Sequence, residues 1–180
     1  RALQLMRSIA NADTGSAQSI LGSSFYNDVM NASNWNSRTF SSAESTAASN
    51  LLTTAAGKSK QDALAYSDVQ GYISAGQNLG ISNAGVLVYY AELYNRGMGV
   101  AKRILNAAAG GGSYSNVTLS KLHTTALANS SSYYTDRLNN AYNTIVSLGW
   151  GDASVSGGGD NGSGGGSVDT SDFSESYAGT

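Results

Sequence analysis

The chain has 180 residues, enough for one domain with a substantial apolar core, and it is sparsely charged, with ten lysines and arginines against twelve aspartates and glutamates. Every basic residue lies between Arg1 and Arg137, so residues 1–150 carry about +3 and the rest about −5, a split that the net charge of −2 conceals. The basic residues form no cluster of the kind that binds nucleic acid, and the absence of cysteine excludes a disulfide framework. The sequence has no apolar run of membrane-spanning length, and its single histidine, His123, disfavours metal catalysis.

The first 150 residues show helical spacing almost throughout, because apolar side chains recur at intervals of three and four. Near the start, Leu3, Met6 and Ile9 fall on one helix face. The predicted helical stretches are, in chain order, 1–12, 16–30, 41–57, 58–76, 86–99, 100–112, 119–129 and 131–150. No alternating run of strand length stands out, so we predict a compact all-α domain.

Several helix ends carry recognisable signals. Ser41 or Ser42 together with Glu44 forms an imperfect capping signal, and Gly57 is the predicted stop of the same helix. Asn83 is the predicted N-cap of the helix that follows it. Since proline is absent, glycine and asparagine supply the breaks between helices.

The final helical stretch has the most regular apolar stripe. Its members recur at three- and four-residue steps and are Tyr134, Leu138, Ala141, Ile145 and Leu148. We expect this stripe to face the core.

A change of composition follows the helical body. Residues 157–167 read GGGDNGSGGGS and contain no apolar side chain that could offset the entropy cost of ordering them. We therefore predict a helical domain at 1–150, a flexible Gly/Ser linker at 151–172, and the start of a truncated following module at 173–180.

Glu92, in the stretch VLVYYAELYNRGMG, is one carboxylate among aliphatic and tyrosine side chains. A glycosidase needs a carboxylic acid in a partly apolar, aromatic-lined cleft, and Tyr89, Tyr90 and Asn95 lie close to Glu92 in the chain. The alternative is a structural role in an ordinary surface salt bridge, because Glu92 and Arg96 stand in the favourable i,i+4 order.

Other polar residues offer weaker candidates. Asp62 and Asp68 are six positions apart and do not share a helix face cleanly, which makes them a poor carboxylate pair. Two roles stay open nearby: Gln61 and Asp62 hydrogen-bond a sugar, or Asp62 balances the charge of Lys58 one helical turn earlier. His123 has no evident serine or aspartate relay and is expected to be an ordinary helix residue. No phosphate-binding glycine loop is present.

A resemblance to a known family is carried by the order and spacing of three segments: RALQLMRSI, NLLTTAAGKSKQDALAYSDVQGYISAGQNLGI and VLVYYAELYNRGMGVAKRIL. Together they resemble the lysozyme-like, muramidase-like peptidoglycan hydrolase domains of secreted Gram-positive wall enzymes and phage tail lysins. The resemblance covers about residues 1–148. It implies a lysozyme-like helical fold that is incomplete at its N-terminus.

The resemblance also implies where the chemistry lies. The family's proton-donating glutamate precedes its Arg-Ala-Leu element, so the general acid is expected upstream of Arg1, and Glu92 is only a weak catalytic candidate. The sugar-contacting positions of the family's second half fall on Tyr89, Tyr90, Glu92 and Asn95. One departure is Arg96, which stands where the family often has glutamine.

These observations define two functional expectations. The first is part of a hydrolase that cleaves glycosidic bonds of bacterial cell-wall peptidoglycan, secreted or carried on a phage tail, and inactive as this fragment alone. The second is a non-catalytic helical domain that binds wall glycan or serves a structural role. In either case we expect wall peptidoglycan as the partner and an extracellular location, and the missing N-terminal segment is a second candidate partner. We expect no cofactor, metal, nucleic acid or membrane insertion.

Overall fold

The computed structural model describes residues 1–151, 153–155 and 167–168. Its helices are α1 (Ala2–Ala12), α2 (Thr14–Asn31), α3 (Ser42–Leu52), α4 (Ala55–Asn78), α5 (Ala84–Asn95), α6 (Met98–Ala109), α7 (Leu119–Ala128) and α8 (Thr135–Ser147). Short 3-10 turns occupy Tyr114–Asn116 and Ser132–Tyr134. The predicted all-α class is confirmed.

Extended structure in the described part of the chain is limited to two-residue segments. β1 (Ser154–Val155) pairs in parallel with β2 (Ser167–Val168). The predicted linker at 151–172 falls largely outside the described residues, and the predicted following module at 173–180 falls wholly outside them.

The chain divides into two compact units, Arg1–Ser67 and Asp68–Thr180, with the boundary inside α4. In the first unit α1 buries the predicted face, with Ile9 fully enclosed. Arg7 joins α1 to the end of α2, because its Nε donates to the carbonyl of Val29 at 2.9 Å and its Nη2 to that of Ala32 at 2.7 Å.

An aromatic cluster closes the loop between α2 and α3. The ring centres of Trp35 and Phe40 lie 5.0 Å apart, and Phe25 contacts both. Arg38 lies over these rings while pairing with Asp28 at 2.8 Å, so one guanidinium joins apolar and ionic contacts.

The predicted helix stop at Gly57 is wrong. Helix α3 ends at Leu52, and Gly57 lies in the first turn of α4, where its N–H donates to Thr54 Oγ1 at 2.9 Å. A Cβ at this position would lie 2.3 Å from the carbonyl oxygen of Leu51. The glycine is therefore required by the close approach of the two helix ends rather than by termination.

In the second unit α5 lies at the centre of the core. Ten of its twelve residues are buried, as expected for a helix that is apolar on nearly all sides. Helices α6, α7 and α8 pack against it with narrower apolar faces, and Leu105, Leu122 and Leu138 are fully buried on them. This packing brings side chains of α5, α7 and α8 together.

Two of the five residues in the predicted stripe of α8 are buried. Leu138 and Ile145 are buried, whereas Leu148 is 43% exposed, because α8 ends at Ser147 and the chain turns away there. None of the helices in the described part of the chain combines the length and apolar character needed to cross a bilayer.

Candidate functional site

Helix α5 presents the residues that the sequence singled out. Its predicted N-cap is confirmed, since the N–H of Val86 donates to Asn83 Oδ1 at 2.9 Å. The amide nitrogen of Asn83 also donates to the carbonyl of Gly151 at 3.1 Å, which fixes the start of α5 against the segment after α8.

Glu92 is buried and forms an ion pair with α8. Its side chain is 7% exposed, and both carboxylate oxygens accept hydrogen bonds from Arg137. Nη2 of Arg137 lies 3.1 Å from Oε2, and Nε bonds to Oε1. The arginine is 48% exposed, so the pair runs from the core to the surface. Such a two-pronged arrangement is directional and fixes both side chains.

Arg96, the partner expected from the i,i+4 spacing, makes other contacts. Helix α5 ends at Asn95, so Arg96 occupies its C-cap. Its Nη1 donates to Ser130 Oγ at 2.9 Å, and its guanidinium carbon lies 3.8 Å from the centre of the Tyr134 ring. The surface salt bridge predicted for Glu92 is thus replaced by a partner 45 positions away.

Tyr89 joins α5 to α7 through His123. The tyrosine is fully buried, and its hydroxyl shares a hydrogen bond of 2.8 Å with Nδ1 of His123. Burial raises the pKa of Tyr89, and the nearby charge of Glu92 raises it further. Burial lowers the pKa of His123. Both shifts favour the neutral forms, so the bond joins two uncharged rings at neutral pH.

His123 in turn supports Tyr142 of α8. The two rings stack with centres 4.3 Å apart and planes 17° apart. No relay for His123 was evident from the sequence, whereas in the structure it has two aromatic partners, Tyr89 and Tyr142. Only the fold reveals this, because the three rings belong to three different helices.

Tyr90 belongs to a second aromatic group. It is fully buried, and burial raises its pKa to about 12. Its hydroxyl has no hydrogen-bond partner among the described residues. The ring meets Tyr94 edge to face, and Tyr94 stacks on Tyr72 with centres 4.8 Å apart. These contacts make Tyr90 a core residue of the second unit.

The four predicted sugar-contacting residues therefore lie in two environments. Tyr89, Tyr90 and Glu92 are in the core and expose little or no surface, whereas Asn95 is exposed at the end of α5. Direct sugar contact by these residues stays a prediction.

The weaker polar candidates lie on α4. Asp62 is exposed on α4, and Asp68 is half-buried further along the same helix. Gln61 is engaged within the first unit, where its amide donates to the carbonyls of Leu52 at 2.8 Å and Gly57 at 3.1 Å.

An open cleft of about 370 Å³ lies between α7 and α8. Its wall includes Tyr142, the hydroxyl residues Thr118 and Ser120, and the glycines Gly149 and Gly151. We call it the Tyr142 cleft. Helical periodicity did not single out Tyr142, because it does not mark which aromatic ring borders a cavity.

Among the described residues, no group of three or more histidine, aspartate or glutamate side chains is arranged to hold a metal ion. Comparison of the chain with protein-family models, curated proteins and solved structures finds no match.

Proposed function

We propose that residues 1–150 are the glycan-positioning part of a bacterial cell-wall peptidoglycan hydrolase, and that they do not supply its general acid. The proposal combines the three-segment resemblance with one observation, the commitment of Glu92 to Arg137. A general acid must present its proton within hydrogen-bond reach of the leaving oxygen. Both oxygens of the buried Glu92 instead accept hydrogen bonds from the guanidinium of Arg137.

Other described carboxylates also have structural roles. Asp13 caps α2 by accepting a hydrogen bond from the N–H of Ser16 at 3.1 Å. Glu44 completes a capping box at the start of α3 and pairs with Arg38 at 2.6 Å. These two carboxylates are thus engaged in structural contacts, as Glu92 is, and the proposal places the acid upstream of Arg1, as the resemblance implies.

The proposal extends to the finer fold and location. It includes a lysozyme-like arrangement of the helices, a Gly/Ser linker at 151–172, and an extracellular place of action, either secreted or on a phage tail. Cleavage would proceed through an oxocarbenium-like transition state with a carboxylate pair. The helices described here would hold the glycan strand while the upstream acid protonates the glycosidic oxygen.

A second candidate function is a non-catalytic glycan-binding or structural helical domain. The burial of Glu92 favours it equally, because a binding domain needs no exposed acid. The two candidates differ in whether the complete protein breaks glycosidic bonds.

Purified bacterial walls provide the test. The chain should sediment with walls without reducing their turbidity, and Glu92→Gln should behave in the same way if it remains folded. A longer form that carries the expected upstream glutamate should lyse walls and keep that activity in Glu92→Gln. A longer form that binds but never lyses would favour the binding domain.

Two results would contradict the proposal directly. Lysis by the chain itself that Glu92→Gln abolishes, with Glu44→Gln unchanged as the matched control, would make Glu92 the acid. Failure of the folded chain to bind walls would remove the glycan role altogether.

A further inference from the structure

We propose that the Tyr142 cleft binds one or two units of a neutral, N-acetylated sugar chain. The inference rests on the proposed function for the identity of the sugar. The cleft itself is argued from its walls, which belong to α7, α8 and the turn after α8.

The chemistry of the cleft suits an uncharged carbohydrate. Its lining combines the ring of Tyr142 and the aliphatic side chains of Leu119 and Val146 with the hydroxyl residues Thr118 and Ser120. None of the described residues that line it carries a charge. An aromatic face packs against the C–H surface of a sugar ring, while hydroxyl and backbone groups bond its oxygens. None of the described lining residues would offer a cation to an anionic ligand.

The size of the cleft is also suitable. Its volume of about 370 Å³ lies near the lower end of the range of roughly 300–1,000 Å³ that is usual for small-molecule sites. Two residues of the wall, Gly149 and Gly151, have no side chain to project into the cleft. Gly149 has a φ of +74°, which L side chains rarely adopt, and nothing lies within 4 Å of a Cβ built there. A ligand can therefore approach the backbone closely.

The walls are held in place before any ligand arrives. Tyr142 stacks on His123, and the hydrogen bond from His123 to the buried Tyr89 anchors that stack in the core. On the opposite wall, Thr118 caps α7 by accepting a hydrogen bond from the N–H of Lys121 at 3.2 Å. Fixed walls lower the ordering cost of binding.

The turn after α8 is fixed as well. The N–H of Trp150 donates to the carbonyl of Ile145 at 3.2 Å, and the carbonyl of Gly151 accepts from Asn83 at 3.1 Å. These two hydrogen bonds hold the turn against α8 and the start of α5.

The test uses a soluble tetramer of N-acetylglucosamine, titrated into the 180-residue chain and followed by calorimetry and amide NMR shifts. Tyr142→Ala removes the ring. Ser120→Gln fills the cleft from an exposed position without disturbing the core, so it answers the question even if Tyr142→Ala folds poorly. Tyr133→Ala, at an 86% exposed tyrosine near the start of α8, is the matched control.

We expect about tenfold or greater weakening for Tyr142→Ala and Ser120→Gln, as for a central aromatic anchor, and less than about twofold for Tyr133→Ala. Tetramer binding that survives both cleft variants would overturn the cleft as a subsite and leave the proposed function standing. Wall binding without tetramer binding would also overturn the cleft as a subsite and leave the proposed function standing. Tetramer binding through the cleft without wall binding would support the cleft and count against the wall function.

Discussion

The ion pair between Glu92 and Arg137 yields the sharpest prediction about stability. Arg137→Met keeps an unbranched stem on α8 but removes the guanidinium from both oxygens of a carboxylate that is 7% exposed. The buried carboxylate then has an apolar side chain in place of its guanidinium partner. We expect the second unit to unfold more easily.

The size of the effect follows from the unequal burial of the partners. Removing one partner of a fully buried pair costs about 3–5 kcal/mol, whereas exposed pairs contribute about 0–1 kcal/mol. Glu92 is buried, but Arg137 is 48% exposed and water reaches its side of the pair. We therefore expect a loss of about 2 kcal/mol in the free energy of unfolding.

Urea denaturation can isolate this loss. The chain has two tryptophans, one in each unit, so a Trp35→Phe background leaves Trp150 as the fluorescent reporter of the second unit. The midpoint should fall with an unchanged slope. Arg103→Met, at an exposed arginine of α6, is the matched control and should stay within about 0.5 kcal/mol.

The double variant Glu92→Leu with Arg137→Leu separates charge burial from packing. It should recover most of the stability lost in Arg137→Met, because an apolar pair of adequate volume often replaces a buried ion pair without loss. An Arg137→Met midpoint equal to that of Arg103→Met would refute the reasoning, since it would mean that Glu92 needs no guanidinium.

Three further predictions concern α4, α7 and α3. Gly76→Ala should destabilise the chain by about 1–2 kcal/mol, because the new Cβ would lie 2.7 Å from Leu87 Cδ2. Gly71→Ala, on the same helix with nothing within 4 Å of the new Cβ, should stabilise the chain by about 0.5–1 kcal/mol. The urea midpoints of the two variants test the difference. Burial lowers the pKa of His123, so as the pH falls the unfolded chain protonates this histidine before the folded chain does. The free energy of unfolding should therefore fall as the pH drops below about 6.5. An equal fall in stability over the same pH series in His123→Gln would contradict this. Ser41→Ala should cost about 1 kcal/mol by removing the N-cap of α3, and equal thermal midpoints would rule that out.

The sequence predicted what local rules control. Helical periodicity predicted the all-α class, and the N-cap at Asn83 was found because its signal lies within four residues of the bond it makes. Gly57 shows where a local rule fails. Glycine is a common helix stop, but here the cap at Thr54 begins a new helix and the glycine fits beneath a carbonyl.

The candidate site was harder to predict because its contacts join distant parts of the chain. The i,i+4 rule compares Glu92 only with residues of its own helix and so selected Arg96. The actual partner, Arg137, is brought near by the packing of α8 on α5, which no spacing in a single sequence records. The stacking of Tyr142 on His123 was invisible for the same reason.

The ion pair also bears on the cleft, because α8 carries both Arg137 and Tyr142. A buried pair adds little net stability over apolar packing, but it can fix one arrangement of two helices among several. If it fixes α8 against α5, then the double leucine variant should stay stable and yet bind the N-acetylglucosamine tetramer more weakly than the parent chain. Equal binding would assign the positioning of Tyr142 to its stack on His123 alone.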